Sequence, residues 1–344
     1  MNVIGKHERP GVYSSYEASA LSAAAGKGRA VAVVAAGPEE GKGAVYGWTS
    51  YSRAVNDVGL CALSDLARVA LKNGAGLVYG VVAGSDYEGA FGLVEALEDV
   101  AVVVCDSTEL TVQQSLRTMV ENCSAARKER IAVVAGGAGE TASALVERAK
   151  GLNHERMVLV APGEAGGNGG VACAAAVAGA IAGNTDPALP LGGARLYGLE
   201  GLESVYEDGD IDLLVQGGVT PLEMLAGGCY VVRGVTTRTT TGGAADATWR
   251  ELTTILVVDD IIPTVRAALR SKFSRAKNNA RSRGAIRSQV IVELEKKVAA
   301  EIIDSYGEVA VTADAEDPTV CLVEFSFAVA HGLNQIYLTV HITV

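Results

Sequence analysis

Short apolar segments of strand length alternate with longer segments of helical periodicity through the middle of this chain, and no other feature constrains the fold as strongly. The strand-like segments are almost wholly apolar, which is typical of strands buried on both faces of a parallel sheet. The predicted order is helix 87–97, strand 100–105, helix 110–123, strand 131–135, helix 141–149, strand 157–161 and helix 171–182. The sequence therefore predicts a multidomain α/β protein with a central, mainly parallel sheet flanked by helices.

The pattern on either side of this region predicts four parts. They are an extended N-terminal arm (1–28), a small α/β domain (29–85), the central α/β domain (86–237) and a C-terminal α+β domain with a terminal linking strand (238–344). In the small domain, strands are predicted at 31–35 and 77–82 around a helix at 63–72. Residues 184–228 are predicted to form irregular and short helical pieces before a strand at 229–235.

The C-terminal part follows a Thr/Gly-rich segment, 236–243, which is predicted to be a linker. Two helical segments are predicted at 249–273 and 286–306, and Pro263 is expected to start a second helix or make a kink in the first. Strands are predicted at 309–312, 319–328 and 335–344.

Charge and composition narrow the classes of function. The 344 residues carry a formal net charge of -11, which opposes general attraction to nucleic acids or anionic membranes. The uncharged stretch 165–185 is mostly Gly and Ala, so its second half is predicted to be a buried helix and not a membrane span. The six cysteines lack metal-type spacing and the N-terminus lacks the apolar run of a signal peptide, so we expect reduced thiols and synthesis in the cytoplasm.

Enzyme-like motifs are weak. The turn from Gly137 to Ala142 follows a predicted strand and opens a helix, which is the context of a dinucleotide-binding turn, and a dinucleotide-binding α/β enzyme is therefore the alternative function. The loop from Gly37 to Gly43 lacks the spacing of a phosphate loop. The acidic stretch from Glu200 to Asp212 resembles the start of a calcium loop but lacks its glycine and its closing glutamate. We predict no catalytic residue, cofactor or metal site.

A basic block stands against the acidic whole. Residues 261–290 hold eight basic residues and no acid, whereas the other 314 residues hold 21 basic and 40 acidic residues. Phe273 is the only aromatic residue in the block, which disfavours nucleic-acid binding. The block is predicted to meet an acidic protein surface, or else to be an ordinary solvated helix face.

The last residues alternate apolar and polar side chains up to Val344. This period of two is typical of a strand with one buried face. Such a strand either completes its own sheet or pairs with another copy of the chain through its main chain.

Several segments, in this order, resemble the contractile tail sheath proteins of phage tails and phage-tail-like bacteriocins. They are Arg9-Pro-Gly-Val-Tyr13, residues 171–186, 217–225 and 228–237, and the region from Trp249 to the end with Asp317-Pro-Thr-Val320 and Gln335-Ile-Tyr-Leu-Thr-Val340. No large insertion domain can be fitted, which suits a simple sheath. The family's central domain is similar to subtilisin in topology, but no Asp, His and Ser set accompanies it here, so no proteolysis is expected.

This resemblance implies a structural role. Copies would polymerise as a helical sheath around an inner tail tube and contract from a metastable extended state, driving the tube through a cell envelope. The implied partners are other copies, the inner tail tube protein, and baseplate and tail-terminator proteins, without nucleic acid or membrane insertion. The protein would reside in a phage tail or a released tail-like particle.

The resemblance also assigns two sets of residues. The N-terminal arm and the terminal strand would link subunits, and part of the basic block would contact the tube. The subunit-linking residues are Pro10, Val12, Tyr13, Ile336, Leu338, Val340 and Ile342. The tube-contact residues are Arg266, Arg270, Lys272 and Arg275.

Overall fold

The computed structural model of the chain describes residues 28–165, 170–334 and 338–340. Their largest element is a nine-stranded sheet with the spatial order β2-β3-β1-β4-β5-β6-β8-β9-β7. The strands are β1 Ala30–Ala35, β2 Val45–Trp48, β3 Leu77–Val82, β4 Val100–Cys105, β5 Ile131–Ala135, β6 Met157–Ala161, β7 Arg195–Leu196, β8 Val219–Leu225 and β9 Gly228–Val231. The six strands from β3 to β8 in this order are parallel, and β2, β9 and β7 add antiparallel edges. The predicted mainly parallel sheet is confirmed.

Helices cover both faces of this sheet. They are α1 Tyr51–Val58, α2 Ala62–Lys72, α3 Tyr87–Ala96, α4 Leu110–Ala125, α5 Ala142–Leu152, α6 Gly170–Gly183 and α7 Asp208–Gln216. Alternate residues of β1 show the reason for its apolar sequence, because Val31 and Val33 join the core under α2 and α6 while Ala32 and Val34 join the core under α3 and α4. We call the sheet and α1–α7 the body.

Small residues let α6 lie close to α2. A Cβ atom on Gly179 would stand 2.4 Å from the carbonyl oxygen of Ala70, so only glycine allows this approach. The second half of the uncharged stretch is therefore a buried helix, as predicted. Among the described residues, no helix is both long and apolar enough to cross a membrane.

Two of the predicted boundaries do not separate parts of the structure. The sequence pattern predicts separate domains at 29–85 and 86–237, yet β1 pairs with β3 on one side and with β4 on the other, so one sheet runs through both. The predicted 236–243 linker is wrong as a free connection. Thr236 and Thr237 are fully buried, and the Thr237 amide donates to the Met157 carbonyl at 2.9 Å. The Thr237 hydroxyl also donates to the His154 carbonyl and accepts from the His154 amide, both at 3.1 Å, which composition alone did not indicate.

The region between α6 and β9 also departs from prediction. Residues 208–216 form α7, a short helix of the kind predicted, but residues 219–225 form β8, a strand that the prediction lacks. Pro221 masks β8 in the sequence, since proline cannot donate to a sheet ladder. Its carbonyl instead accepts a hydrogen bond from the Val232 amide at 2.9 Å.

Beyond the body lies the C-terminal unit, defined as residues 252–334. Its elements are α8 Leu252–Phe273, α9 Ala280–Ala299, β12 Ile303–Tyr306, β13 Ala310–Ala313, β14 Cys321–Glu324 and β15 Phe327–Val329, preceded by the short hairpin β10 Thr240–Thr241 and β11 Ala244–Ala245. This confirms the predicted α+β character.

Three details of that prediction were wrong. Helix α8 runs through Pro263 as one helix, so Pro263 does not start a second helix, and the alternative of a kink stays a prediction. Helix α9 begins earlier than predicted because the Asn279 side chain caps it by accepting from the Ser282 amide at 2.9 Å. It also ends earlier, since Glu301 takes a left-handed φ of 57° and the following residues form a strand. The predicted strand at 319–328 is two strands, β14 and β15.

Candidate interaction surfaces

Parallel α/β sheets usually bind ligands beyond the carboxyl ends of the strands, where the strand order reverses. Here the reversal lies between β1 and β4. Asp106 follows β4 and fills this position, because its Oδ2 accepts from the Ala36 amide at 2.7 Å and its Oδ1 accepts from the Tyr87 hydroxyl at 2.6 Å. Burial and the Asp106 carboxylate raise the pKa of Tyr87, which keeps the hydroxyl a donor. The crevice that enzymes of this architecture use is occupied by the protein's own side chains.

The turn from Gly137 to Ala142 connects β5 to α5, as the sequence predicted. It faces a cleft of about 430 Å³ lined by the carboxylates of Glu140, Glu203 and Asp210. Arg148 binds Glu140 through Nε at 3.0 Å and lowers the pKa of that carboxyl. Three carboxylates around a helix N-terminus disfavour the pyrophosphate of a dinucleotide. The alternative of a dinucleotide-binding enzyme has no support.

The C-terminal unit has its own small core. Val257, Ile261 and Val265 of α8 pack with Val290 and Leu294 of α9. The short strands cover this core only in pairs, β12 with β15 and β13 with β14. Among the described residues neither pair has a third strand. Each pair therefore presents main-chain donors and acceptors along its outer edges.

The terminal segment is described only over residues 338–340, where no regular secondary structure occurs. Leu338 is 86% exposed and Val340 is 67% exposed, so neither apolar side chain is covered by its own subunit. The other predicted linking residues lie outside the described residues; they are Pro10, Val12, Tyr13, Ile336 and Ile342. Subunit linking through these residues stays a prediction.

The structure divides the four predicted tube-contact residues. Arg266 binds Glu129 of the body, with Nη2 2.7 Å from Oε1, and Lys272 donates to the Gln289 side chain at 2.5 Å. Arg270 and Arg275 are exposed, and no acidic side chain of the described residues pairs with them. The basic block is therefore not a single free surface.

Two ion pairs join the C-terminal unit to the body. Arg156, which precedes β6, donates from both terminal nitrogens to the Asp259 carboxylate of α8 at 2.7 and 2.9 Å. Burial raises the pKa of Asp259, although Arg156 opposes that shift. At the second pair, burial of Glu129 is outweighed by its bonds with Arg266, and the pKa of Glu129 lies below its ordinary value. We call these two pairs the joint.

Sequence reasoning missed the joint because its partners are far apart in the chain. Arg156 and Asp259 are separated by 103 positions. The one available signal is the pair Asp259 and Asp260 within an otherwise apolar stretch of α8. Asp260 in turn binds Lys297 of α9 at 2.5 Å, so both acids have partners.

The comparisons with known proteins agree with the resemblance predicted from sequence. Residues 244–343 match the family described as phage tail sheath C-terminal domain. A curated tail sheath protein of Bacillus phage SP01 is 28% identical over 253 residues, which is 71% of this chain and 43% of that protein. The chain thus spans less than half the length of this relative.

Solved structures of similar fold cover almost the whole chain. The contracted helical sheath of the anti-feeding prophage has a TM-score of 0.70 at 14% identity and covers 98% of this chain and 99% of its own. The sheath tail protein from Listeria innocua has a TM-score of 0.72 at 13% identity, and the match covers 89% of this chain and 93% of that protein. The sheath tail protein from Desulfitobacterium hafniense has a TM-score of 0.68 at 13% identity, and the match covers 93% of this chain and 100% of that protein. At these identities the likeness establishes the fold.

Proposed function

We propose that this protein is the sheath subunit of a contractile tail. Copies polymerise into a helical sheath around an inner tube and contract from a metastable extended state to drive the tube through a cell envelope. One observation carries the proposal. Residues 244–343 match the family described as phage tail sheath C-terminal domain, and the fold of the chain, including the α/β body before them, is similar to that of one subunit of a contracted helical sheath. The closed crevice at Asp106 supports a structural role over a catalytic one.

The edges of the C-terminal unit suggest how subunits link. Strand pairs β12–β15 and β13–β14 can each accept a further strand, and residues 335–344 have the alternation of a strand. Residues 1–27 provide a second segment that could pair in this way. Main-chain pairing across subunits would keep the lattice connected while the bodies rotate during contraction.

The partners follow from this role. They are other copies of the chain, an inner tube protein, and baseplate and terminator proteins at the two ends. A solved baseplate of the anti-feeding prophage contains a chain of similar fold, with a TM-score of 0.72 over 98% of this protein, which supports contact with a baseplate. The protein would reside in a phage tail or a tail-like particle. Arg270 and Arg275 are the best candidates for contact with an acidic tube.

Electron microscopy of the purified full chain tests the proposal directly. Negatively stained samples at rising protein concentration should show hollow tubes with a regular helical repeat. A size-exclusion profile that stays monomeric up to high concentration, without tubes in the presence or absence of tube protein, would contradict a sheath function.

A further inference from the structure

The start of helix α9 carries positive charge where a helix disfavours it. Lys277 precedes the helix, Arg281 and Arg283 lie in its first turn, and this turn contains no acid. The N-terminus of a helix has a partial positive charge, so cations there repel it. We call these three residues the basic tip.

No ion pair neutralises this charge within the described part of the subunit, although Asn278 beside the tip donates to the Pro318 carbonyl, which follows Asp317. Lys277 and Arg281 are exposed, and no carboxylate of the described residues lies within ion-pair distance of either. Among the described residues, the side chain of Arg283 hydrogen-bonds to the neutral side chain of Asn278, at 3.0 Å, and to no acid. The other end of the same block is neutralised, since Arg266 binds Glu129. A negatively charged partner at the basic tip would relieve the repulsion within α9.

A surface of opposite charge lies on the body around helix α7. Its acids are Glu207, Asp208, Asp210 and Asp212, all exposed and none in an ion pair with a described residue. Val205 beside them is 86% exposed, so the surface also presents an apolar side chain that a partner could cover. We call the four acids the acidic ridge.

We propose that the basic tip of one copy docks on the acidic ridge of a neighbouring copy. The contact rests on the proposed sheath function and names an electrostatic interface in addition to strand linking. Two different patches of one chain make a head-to-tail contact, and such contacts generate open helical arrays when the rotation does not close a ring. The net charge of -11 disfavours nucleic acid as the partner of the tip.

A charge-swap experiment on the full chain tests this contact. The tip variant is Lys277→Glu with Arg281→Glu, and the ridge variant is Asp208→Lys with Asp210→Lys. A third protein combines all four changes and regains the wild-type net charge. The measurement is the lowest protein concentration that yields tubes by sedimentation and negative-stain microscopy, at low and high salt. Melting temperatures confirm that each variant is folded.

Two matched controls separate a specific contact from an effect of net charge. Arg53→Glu with Lys150→Glu changes the charge as the tip variant does, but on α1 and α5. The tip variant combined with Glu88→Lys and Glu95→Lys regains the wild-type charge through α3. All four control positions are exposed.

Each reversal should raise the concentration needed for tubes by about tenfold at low salt, and the four-residue swap should restore it to within about threefold. The Arg53 and Lys150 control should behave like the wild type, and the α3 changes should not rescue. The contact is refuted if the four-residue swap is no better than the tip variant alone, or if the α3 changes rescue equally well. Absence of tubes from the wild type would overturn the sheath function itself, and this contact with it.

Discussion

In the body, each of the six parallel strands has a neighbouring strand on both sides, and helices cover both faces, whereas in the C-terminal unit each described strand has one partner. Strands β1, β4, β5 and β6 bury every residue except Ala101, but β13 and β14 leave residues such as Leu322 exposed. The comparison shows that the two regions differ in the strand edges that they leave open to other subunits. The parallel strands of the body need no further partner, whereas every described strand of the C-terminal unit has an edge that a neighbour can complete.

The largest expected effect comes from removing the terminal segment. Deleting residues 336–344 should abolish tubes, because the open edges of the C-terminal unit would lose a strand supplied by another copy. The body should stay folded, with a melting temperature close to that of the full chain. Microscopy and calorimetry of the same samples check both statements, and normal tubes from the truncated protein would show that the segment does not link subunits.

The N-terminal arm gives the second test. Deleting residues 1–16, which include Val12 and Tyr13, should strongly reduce polymerisation with little change in the stability of the monomer. A large fall in the melting temperature would instead place the arm in the core of its own subunit. Deleting only residues 1–4 is a control that should leave tubes intact.

Paired substitutions compare the core of the body with the exposed side of β14. Leu116→Ala in the fully buried core of the body should lower the free energy of unfolding by about 2–5 kcal/mol, because it leaves a cavity. Leu322→Ala on exposed β14 should change it by no more than about 0.5 kcal/mol. Urea unfolding of both variants measures the difference. Equal losses of unfolding free energy in the two variants would mean that Leu322 is buried in solution, contrary to its exposure in the single subunit.

A smaller effect is expected at the tube. Arg270→Glu with Arg275→Glu should weaken co-assembly with tube protein at low salt, by about 0.2–1 kcal/mol for each contact, and leave tube-free polymers intact. Arg266 is left unchanged because it holds Glu129. Arg53→Glu serves as the control, and unchanged binding of the double variant to tube would remove both residues from that interface.

The smallest effect concerns the joint and depends on pH. Glu129 has a lowered pKa in the folded protein, so its stabilisation is present above its unfolded pKa of roughly 4.3 and is lost as the pH falls through the folded value. Glu129→Gln should therefore cost at most about 1 kcal/mol at pH 7 and almost nothing below the folded pKa. Denaturation curves from pH 7 to pH 3 test this; a cost that is constant with pH would assign Glu129 a packing role.

Sequence patterns predicted some elements very well. The predicted bounds of strands β3 to β6 equal the observed bounds, because a buried parallel strand appears in the sequence as a continuous run of apolar residues. Strand β2 was missed since it has only four residues and lies at an edge, and β8 was missed because of Pro221. Helix α9 ends where Glu301 adopts a left-handed backbone conformation. The sequence did not indicate this end, because glycine is the residue usually found in that conformation and none occurs there.

The interaction surfaces were harder to predict. Charge counts located the basic block, but they could not show that Arg266 turns to Glu129 while Arg270 remains exposed. That distinction depends on the position of α8 against the body, which is determined by contacts between residues distant in the chain. The family resemblance supplied the proposed function, and the folded chain shows which charges of the described residues are exposed.

The position of β1 has a mechanical consequence. The arm enters the body at Gly28, directly before β1, and β1 lies inside the sheet with six residue pairs to β3 and five to β4. A load applied through the arm would act along the strand and strain these parallel ladders together in shear, instead of peeling hydrogen bonds one after another. If residues 1–27 link neighbouring copies as proposed, tension on them would first load a strand that is paired on both sides, and such a strand can transmit force without unfolding its own subunit.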